Sequence, residues 1–453
     1  MKTHQLILLT TALFVTLFYG ETMGINFGIL GIVYALLTLY QTPKENRTRT
    51  FLFLFVLAVF SSIAFAYYGD FASFLAVFST LFLLAFKSKN RNLKSMLVIP
   101  LFVVNFVTFI YRVFQFAEWL PQRNVSASWQ KFLSVVLIPA VFVFIFFGIY
   151  SFGSDHFSRI FSRYEFDLNF WEFIGLTCLG FFIAFTFWNF KIYPSIFKVN
   201  HTLKNDFVNE DKVQLPTYTF LHVDAERKSG AVSFFVLNVL LFVFLLTFNY
   251  EQFVEVSRTP NQLSMETHER VNAVILSIVM AIIVIMFYFK GNFNFDEKAK
   301  SLKILARIWV ALNIILVFSA AAKNSEYIYT LGLTYKRLGV YAFLILAGIG
   351  LVLTFFKIQK QKTNAYLFNH MIWYFYGTVL ACSFVNWGGL ATFYNIKNDK
   401  GNFEFLSTFN FNDKYMREKF PLQIQTNASP AKIECGTFLS RTLYEETLKS
   451  YKK

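Results

Sequence analysis

Residues 51–68 read FLFLFVLAVFSSIAFAYY and contain no charged side chain. A helix of about 20 apolar residues crosses the roughly 30 Å hydrocarbon core of a bilayer, where every backbone amide must be satisfied within the helix. The stretch therefore predicts a transmembrane helix. With eleven similar runs elsewhere, the chain is predicted to be an all-α, polytopic integral membrane bundle of eleven or twelve transmembrane helices. The twelve runs are residues 5–19, 23–40, 51–68, 71–86, 95–111, 132–152, 170–188, 231–249, 271–289, 304–322, 339–356 and 367–385.

The composition of the whole chain also indicates a membrane protein. Its 453 residues are 56% hydrophobic and 15% charged, whereas soluble globular proteins carry about 25% charged residues. This composition excludes a disordered chain, a collagen-like repeat and a secreted disulfide scaffold. The 3 cysteines are far apart without CxxC spacing, so no metal or redox site is predicted.

The distribution of Lys and Arg predicts the orientation, because basic loops resist translocation and stay in the cytoplasm. If all twelve runs crossed, the basic connections 87–94 and 191–228 would face opposite sides. Omitting 95–111, which contains Pro100 and Asn105, removes the conflict, and this run is expected to lie at the interface or re-enter. The inner connections then hold 23 basic residues and the outer ones 7. The predicted N-terminus is cytoplasmic and the predicted C-terminus is extracytoplasmic.

Two stretches are polar enough to fold outside the bilayer. Residues 191–230 are expected to form a cytoplasmic loop with one short helix, attached to a transmembrane bundle of residues 1–385. Residues 386–453 carry ten basic and seven acidic residues and are expected to form a small extracytoplasmic tail. Within the tail, 412–420 and 436–451 have helical composition.

His370 is the main ionisable candidate at membrane depth, where such a residue costs at least ~2.5 kcal/mol to insert. It could act as a general base or proton relay. It could also lie near the cytoplasmic end and reach water, which is favoured because Lys362 precedes it by eight positions. No cofactor is predicted, and no basic face suited to nucleic acid is visible.

Polar residues gather instead at the predicted outer face. One outer connection ends with His268 and Glu269, and another contains Tyr329, Gly332, Thr334 and Arg337. The first pair is not an HExxH zinc motif, because position 272 is Asn. Arg337 could pair with Glu269 as a structural clamp between helices, or the region could be a functional cluster that includes Asn395.

These residues carry a resemblance to a known family. Leu17-Phe18-Tyr19-Gly20, Gly24-Ile25-Asn26-Phe27, the His268-Glu269 helix entry, Gly332-Leu333-Thr334 with Arg337, and Ala391-Thr392-Phe393-Tyr394-Asn395-Ile396 resemble the bacterial membrane family called domain of unknown function 4173. The sister family 4153 is similar in its Gly-Leu-Thr-x-x-Arg element. Arg270 departs from the first family, which tends to have Gly there. The resemblance implies a polytopic cell-envelope protein and brings no known reaction. We expect the chain to lie in the bacterial cytoplasmic (inner) membrane.

Three functions remain open on the sequence alone. The leading interpretation is a non-catalytic envelope component that lies in the lipid bilayer and binds another envelope protein or senses a ligand at its outer face. The second is a secondary transporter of a small solute, which predicts broken helices meeting at the midplane. The third is a membrane enzyme that acts on a lipid-linked substrate with His370, or His268 and Glu269, as the acid–base group.

Overall fold

The structure, a computed structural model, describes residues 1–120, 135–136, 138–153, 169–208, 222–254, 260–423 and 437–450. Within these ranges its secondary-structure elements are all helices, and there is no β-strand. The helices are α1 Thr3–Phe18, α2 Ile25–Gln41, α3 Arg49–Tyr68, α4 Phe71–Lys89, α5 Val98–Val107, α6 Phe109–Phe114, α7 Phe116–Trp119, α8 Ile138–Gly153, α9 Phe170–Trp188, α10 Pro194–Thr202, α11 Val223–Phe253, α12 Pro260–Tyr288, α13 Lys300–Leu331, α14 Tyr335–Gln359, α15 Asn364–Phe384, α16 Trp387–Lys397, α17 Phe403–Leu406, α18 Asp413–Lys419 and α19 Leu443–Ser450.

Eleven of these helices correspond to eleven of the twelve apolar runs. Seven described helices are long and apolar enough to cross a membrane. Helices α1 and α2 are apolar but have only 16 and 17 residues. The fold is therefore the predicted all-α polytopic membrane bundle. The main differences are in length, because α11, α12 and α13 extend by several residues past the apolar windows at one or both ends.

The apolar stretch 51–68 lies in α3, and capping residues set both ends of this helix. The Thr48 side chain accepts the Phe51 N–H at 3.3 Å and caps the start of α3. Gly69 ends α3 with φ of 65°, a left-handed conformation that favours glycine. Asp70 then caps α4 by accepting the Ser73 N–H at 2.9 Å. The α3–α4 connection is therefore a two-residue turn.

Helices α1 and α9 run antiparallel and define the two ends of the bundle. The Trp188 indole donates to Thr10 at 3.1 Å near one end, and the Gly20 N–H donates to Glu172 at 2.7 Å at the other. We call the first end, where α4 and α9 finish, the basic end. We call the second end, where α1 finishes and α2 begins, the tail end, because residues 437–441 bind there.

The segment 95–119 stays at the basic end. The Asn105 side chain accepts the Lys191 N–H at 2.8 Å, and the buried Arg112 donates to the Asn189 carbonyl. The Lys94 N–H, just before the segment, donates to Asn200 at 2.9 Å. Both ends of the segment thus contact the region that follows α9. That the segment re-enters or lies at the interface stays a prediction.

Two corrections concern the polar stretches. The expected loop over 191–230 is shorter, because α11 begins at Val223. In the described part of the loop, residues 191–208, α10 is a short helix. In the tail, α18 and α19 fall within the two stretches of helical composition, but α16 and α17 were not anticipated. Leu333, Ala391, Leu406 and Met416 form a small core that packs the tail against the turn between α13 and α14.

Candidate functional site: the turn between α13 and α14

The Gly-Leu-Thr-x-x-Arg element forms the tight turn between two long membrane helices. Gly332 ends α13 with φ of 86°, which a residue with a Cβ adopts only under strain. A Cβ at this position would also lie 2.6 Å from the Asn395 side-chain oxygen. Thr334 caps α14 by accepting the Arg337 N–H at 3.3 Å. The turn therefore requires glycine for its backbone and threonine for its cap.

Asn395 holds this turn from the tail. Its fully buried side chain accepts the Leu333 N–H at 2.6 Å and donates to the Leu333 carbonyl at 2.9 Å. The backbone N–H and C=O of the buried Leu333 are thus both satisfied by one amide side chain. The Asn395 carbonyl in turn accepts the Lys400 N–H at 2.8 Å. Two of the elements that carried the family resemblance therefore meet in space.

Arg337 is the buried cation of the turn, with only 9% of its surface exposed. Its Nη1 donates to the Gly332 carbonyl, and its guanidinium lies 3.8 Å from the centre of the Tyr327 ring, a cation–π arrangement. Its backbone carbonyl accepts from Asn324 at 3.1 Å. Its Nε, also buried, has no hydrogen-bond partner among the described residues. The guanidinium is fixed in orientation but only partly satisfied.

A cavity of about 360 Å³ opens beside this turn. The start of α14 forms one side, and α17 with the following residues of the tail forms the other. The Tyr335 hydroxyl accepts the Asn410 N–H at 3.0 Å and its ring packs on Phe409 at 5.3 Å, which fixes the tail side of the cavity. The lining residues are Tyr327, Thr334, Tyr335, Lys336, Arg337, Phe405, Thr408 and Phe409.

The last described segment of the tail, residues 437–450, binds the α1–α2 connection, which also lies at the tail end. Glu21 accepts hydrogen bonds from the hydroxyls of Thr437 and Ser440. The Tyr444 hydroxyl donates to Asp413 at 2.9 Å, and burial together with the Asp413 carboxylate raises the pKa of Tyr444. The tail therefore contacts both the α1–α2 connection and the α13–α14 turn.

The structure brings together four of the predicted site residues, namely Gly332, Thr334, Arg337 and Asn395. Tyr329 is nearby but 76% exposed, with its ring 6.0 Å from Lys400 Nζ.

Two further predicted site residues, His268 and Glu269, belong to α12 by sequence position, but their side chains lie outside the described part of the structure. Their participation, and the pairing of Glu269 with Arg337, therefore stay predictions.

His370 lies apart from this turn, toward the basic end. Its Nδ1 is 2.7 Å from the Tyr366 carbonyl of the preceding helical turn, and its ring lies 4.2 Å from the Tyr366 ring. The neighbouring Asn369 donates to the Leu203 carbonyl at 2.9 Å. Among the described residues no group of three or more His, Cys, Asp or Glu is placed to hold a metal ion.

Sequence reasoning missed a set of cations at the basic end that bind backbone carbonyls at helix C-termini. Lys357 is fully buried and its Nζ donates to the Phe289 carbonyl, just past the end of α12, at 2.6 Å. Lys89 and Arg112 likewise donate to carbonyls that follow α9. Such side chains donate to the backbone carbonyls at helix C-termini that have no intrahelical partner, and their positive charge complements the negative end of the helix dipole. The position of these residues in the last turn of a helix could have predicted this capping role. In the sequence, they served only to predict which side of the membrane each connection faces.

The long apolar helices and these two polar ends define a multi-pass membrane protein. A family model described as "Domain of unknown function (DUF4153)" matches residues 50–412. The chain belongs to this family, which is the sister family named from the Gly-Leu-Thr-x-x-Arg element, whereas the first-named family 4173 was not matched. No curated protein and no solved structure matches the chain.

Proposed function

We propose that this protein is a non-catalytic component of the bacterial cytoplasmic membrane that binds a partner or senses a ligand at its tail end. The observation that supports this most is the convergence of Gly332, Thr334, Arg337 and Asn395 on one turn that borders an open cavity. Their hydrogen bonds go to the backbone of the turn. Such an arrangement suits a rigid binding surface better than proton transfer.

The proposed orientation places the basic end in the cytoplasm. Basic residues are concentrated there, with 23 of them in the connections assigned to that side and 7 in the others. The positive-inside rule then assigns the tail end to the extracytoplasmic side. Residues 1–385 would form the membrane bundle and 386–453 an extracytoplasmic tail that covers it.

The orientation is tested by fusing a topology reporter after Lys453 and a second one after Lys44. We expect the first to report an extracytoplasmic position and the second a cytoplasmic position. If the reporter after Lys453 is cytosolic, the tail end does not face the outside of the cell and this functional proposal is wrong.

The function is tested by complementation of a deletion strain. We expect Arg337→Ala and Asn395→Ala to reduce fitness under envelope stress, while the exposed Lys414→Ala, which lies in the same tail, leaves it unchanged. Abundance in the membrane is measured in parallel by quantitative immunoblot. If both variants of the turn match wild type in fitness and abundance across the stress panel, the proposal is wrong.

A further inference from the structure

The cavity beside Arg337 combines features that suit a negatively charged group. Arg337, a residue with 9% of its surface exposed, borders it. Buried polar groups in proteins are hydrogen-bonded in the great majority of cases, so a buried N–H without an acceptor needs an explanation. Arg337 Nε is such a group among the described residues. Nε has no surface accessible from the cavity, so an oxyanion bound there would instead act on the guanidinium as a whole, by supplying a counter-charge to a buried cation.

The fixed orientation of Arg337 strengthens this argument. Its Nη1 is held by the Gly332 carbonyl and its plane by the Tyr327 ring. A guanidinium that is already oriented loses little conformational freedom when it binds a ligand. Its planar fork matches the oxygens of a phosphate or a carboxylate, which accept two parallel N–H bonds.

The start of α14 adds a second source of positive potential. The first turn of a helix has N–H groups without intrahelical acceptors, and the helix dipole is positive at this end. Only the Arg337 N–H of this turn is taken by the Thr334 cap. Tyr335 and Lys336 border the cavity together with Arg337, and the Lys336 side chain is exposed. Helix N-termini of this kind bind anions readily.

We propose that this cavity binds one phosphate-type oxyanion, carried either by a soluble small molecule or by a phospholipid headgroup. The proposal rests on the proposed function and names the chemical class of its ligand. Arg337 is the principal binding residue, the first turn of α14 contributes its dipole, and Lys336 adds a second charge at the rim.

The soluble source is tested with full-length protein in phosphatidylcholine nanodiscs. Inorganic phosphate is titrated at constant ionic strength, with chloride as the balancing anion, and the melting temperature and heat of binding are measured. We expect wild type to bind phosphate in a saturable manner. Arg337→Gln should weaken binding by roughly tenfold or more, because it removes a charge-assisted hydrogen bond.

A second variant keeps the test valid if Arg337→Gln perturbs folding. Lys336→Gln changes an exposed side chain that borders the cavity and should weaken phosphate binding by about two- to fivefold without affecting the fold. Lys414→Gln removes an exposed charge from the same tail, outside the cavity lining, and should leave binding unchanged.

The headgroup source is tested in nanodiscs that contain phosphatidylglycerol, by counting retained lipids with native mass spectrometry. Retention that falls in Arg337→Gln and Lys336→Gln, but not in Lys414→Gln, assigns the site to a headgroup. Equal binding of both probes by wild type and all three variants overturns the proposal.

The two proposals fail in different ways. If Arg337→Gln and Lys336→Gln lose fitness while neither probe shows variant-dependent binding, the anion site is wrong and the proposed function stands. If the variants lose binding but keep full fitness, the anion site stands and the proposed function is wrong.

Discussion

The Asn395 contact provides the sharpest test of how the tail holds the α13–α14 turn. Asn395→Ala removes both hydrogen bonds to Leu333, at 2.6 and 2.9 Å, from a site with no solvent exposure. Each buried polar group left without a partner costs about 1–3 kcal/mol. Two such groups are left unpaired, and water that enters the vacated space offsets part of the cost. We therefore expect the free energy of unfolding to fall by about 2–4 kcal/mol.

The measurement is thermal unfolding of the purified protein in nanodiscs, with limited proteolysis of the tail as a local readout. Asn398→Ala is the matched control, because Asn398 lies just beyond the same helix, is exposed and donates only to its own helix, to the Tyr394 carbonyl at 2.8 Å. We expect that change to alter stability by less than about 0.5 kcal/mol. Equal stability and equal protease resistance of the two variants would refute the argument.

Asn395→Asp adds a pH test to the same site. The new carboxyl keeps the acceptor for the Leu333 N–H but, when ionised, faces the Leu333 carbonyl with no proton to donate. Burial and this contact should raise its folded-state pKa above the unfolded value of about 3.9. Stability is then greatest at low pH and is lost as the pH rises toward the folded pKa. A variant whose stability does not change between pH 4 and pH 7 would contradict this reasoning.

Three further predictions concern other contacts at the two ends. Gly332→Ala should lower the free energy of unfolding by about 1–3 kcal/mol, since its φ is 86° and the new Cβ would lie 2.6 Å from a side-chain oxygen. In the same thermal unfolding assay, Gly339→Ala should be neutral or stabilising, because a Cβ there would have no atom within 4 Å. Lys357→Met should lower stability by about 1–3 kcal/mol, because a buried carbonyl loses its donor, and the exposed Lys360→Met should not. Glu21→Gln should increase proteolysis of residues 437–450, since the carboxylate that accepts two hydroxyls is neutralised, and an unchanged digestion pattern would contradict this.

The membrane architecture could be predicted from the sequence because lipid imposes one strong constraint. Runs of about 20 apolar residues such as 51–68 and 170–188 have no other stable solution in a bilayer, and the structure has helices at Arg49–Tyr68 and Phe170–Trp188. The break within 95–111 falls at Thr108, between α5 and α6, whereas the prediction from sequence rested on Pro100, Asn105 and the charge balance. The bounds of α11 and α13 were missed because their polar ends extend beyond the apolar window.

The candidate site could be predicted only in part. Gly332, Thr334 and Arg337 are close in sequence, and their turn chemistry is readable from residue type. That Asn395 would bind the Leu333 backbone across 62 positions depends on how the tail packs, which no local pattern encodes. The capping role of Lys357 was missed for the same reason, since its acceptor at Phe289 is 68 positions away.

The contacts of Glu21 also constrain the order in which the protein can mature. Its partners Thr437 and Ser440 are 416 and 419 positions later in the chain, so a ribosome must add all of the intervening residues before the first hairpin of helices obtains them. The α1–α2 connection must remain open to its late partner while every intervening helix inserts. Completion of this end therefore waits until residues 437–441 have been synthesised and have reached the α1–α2 connection.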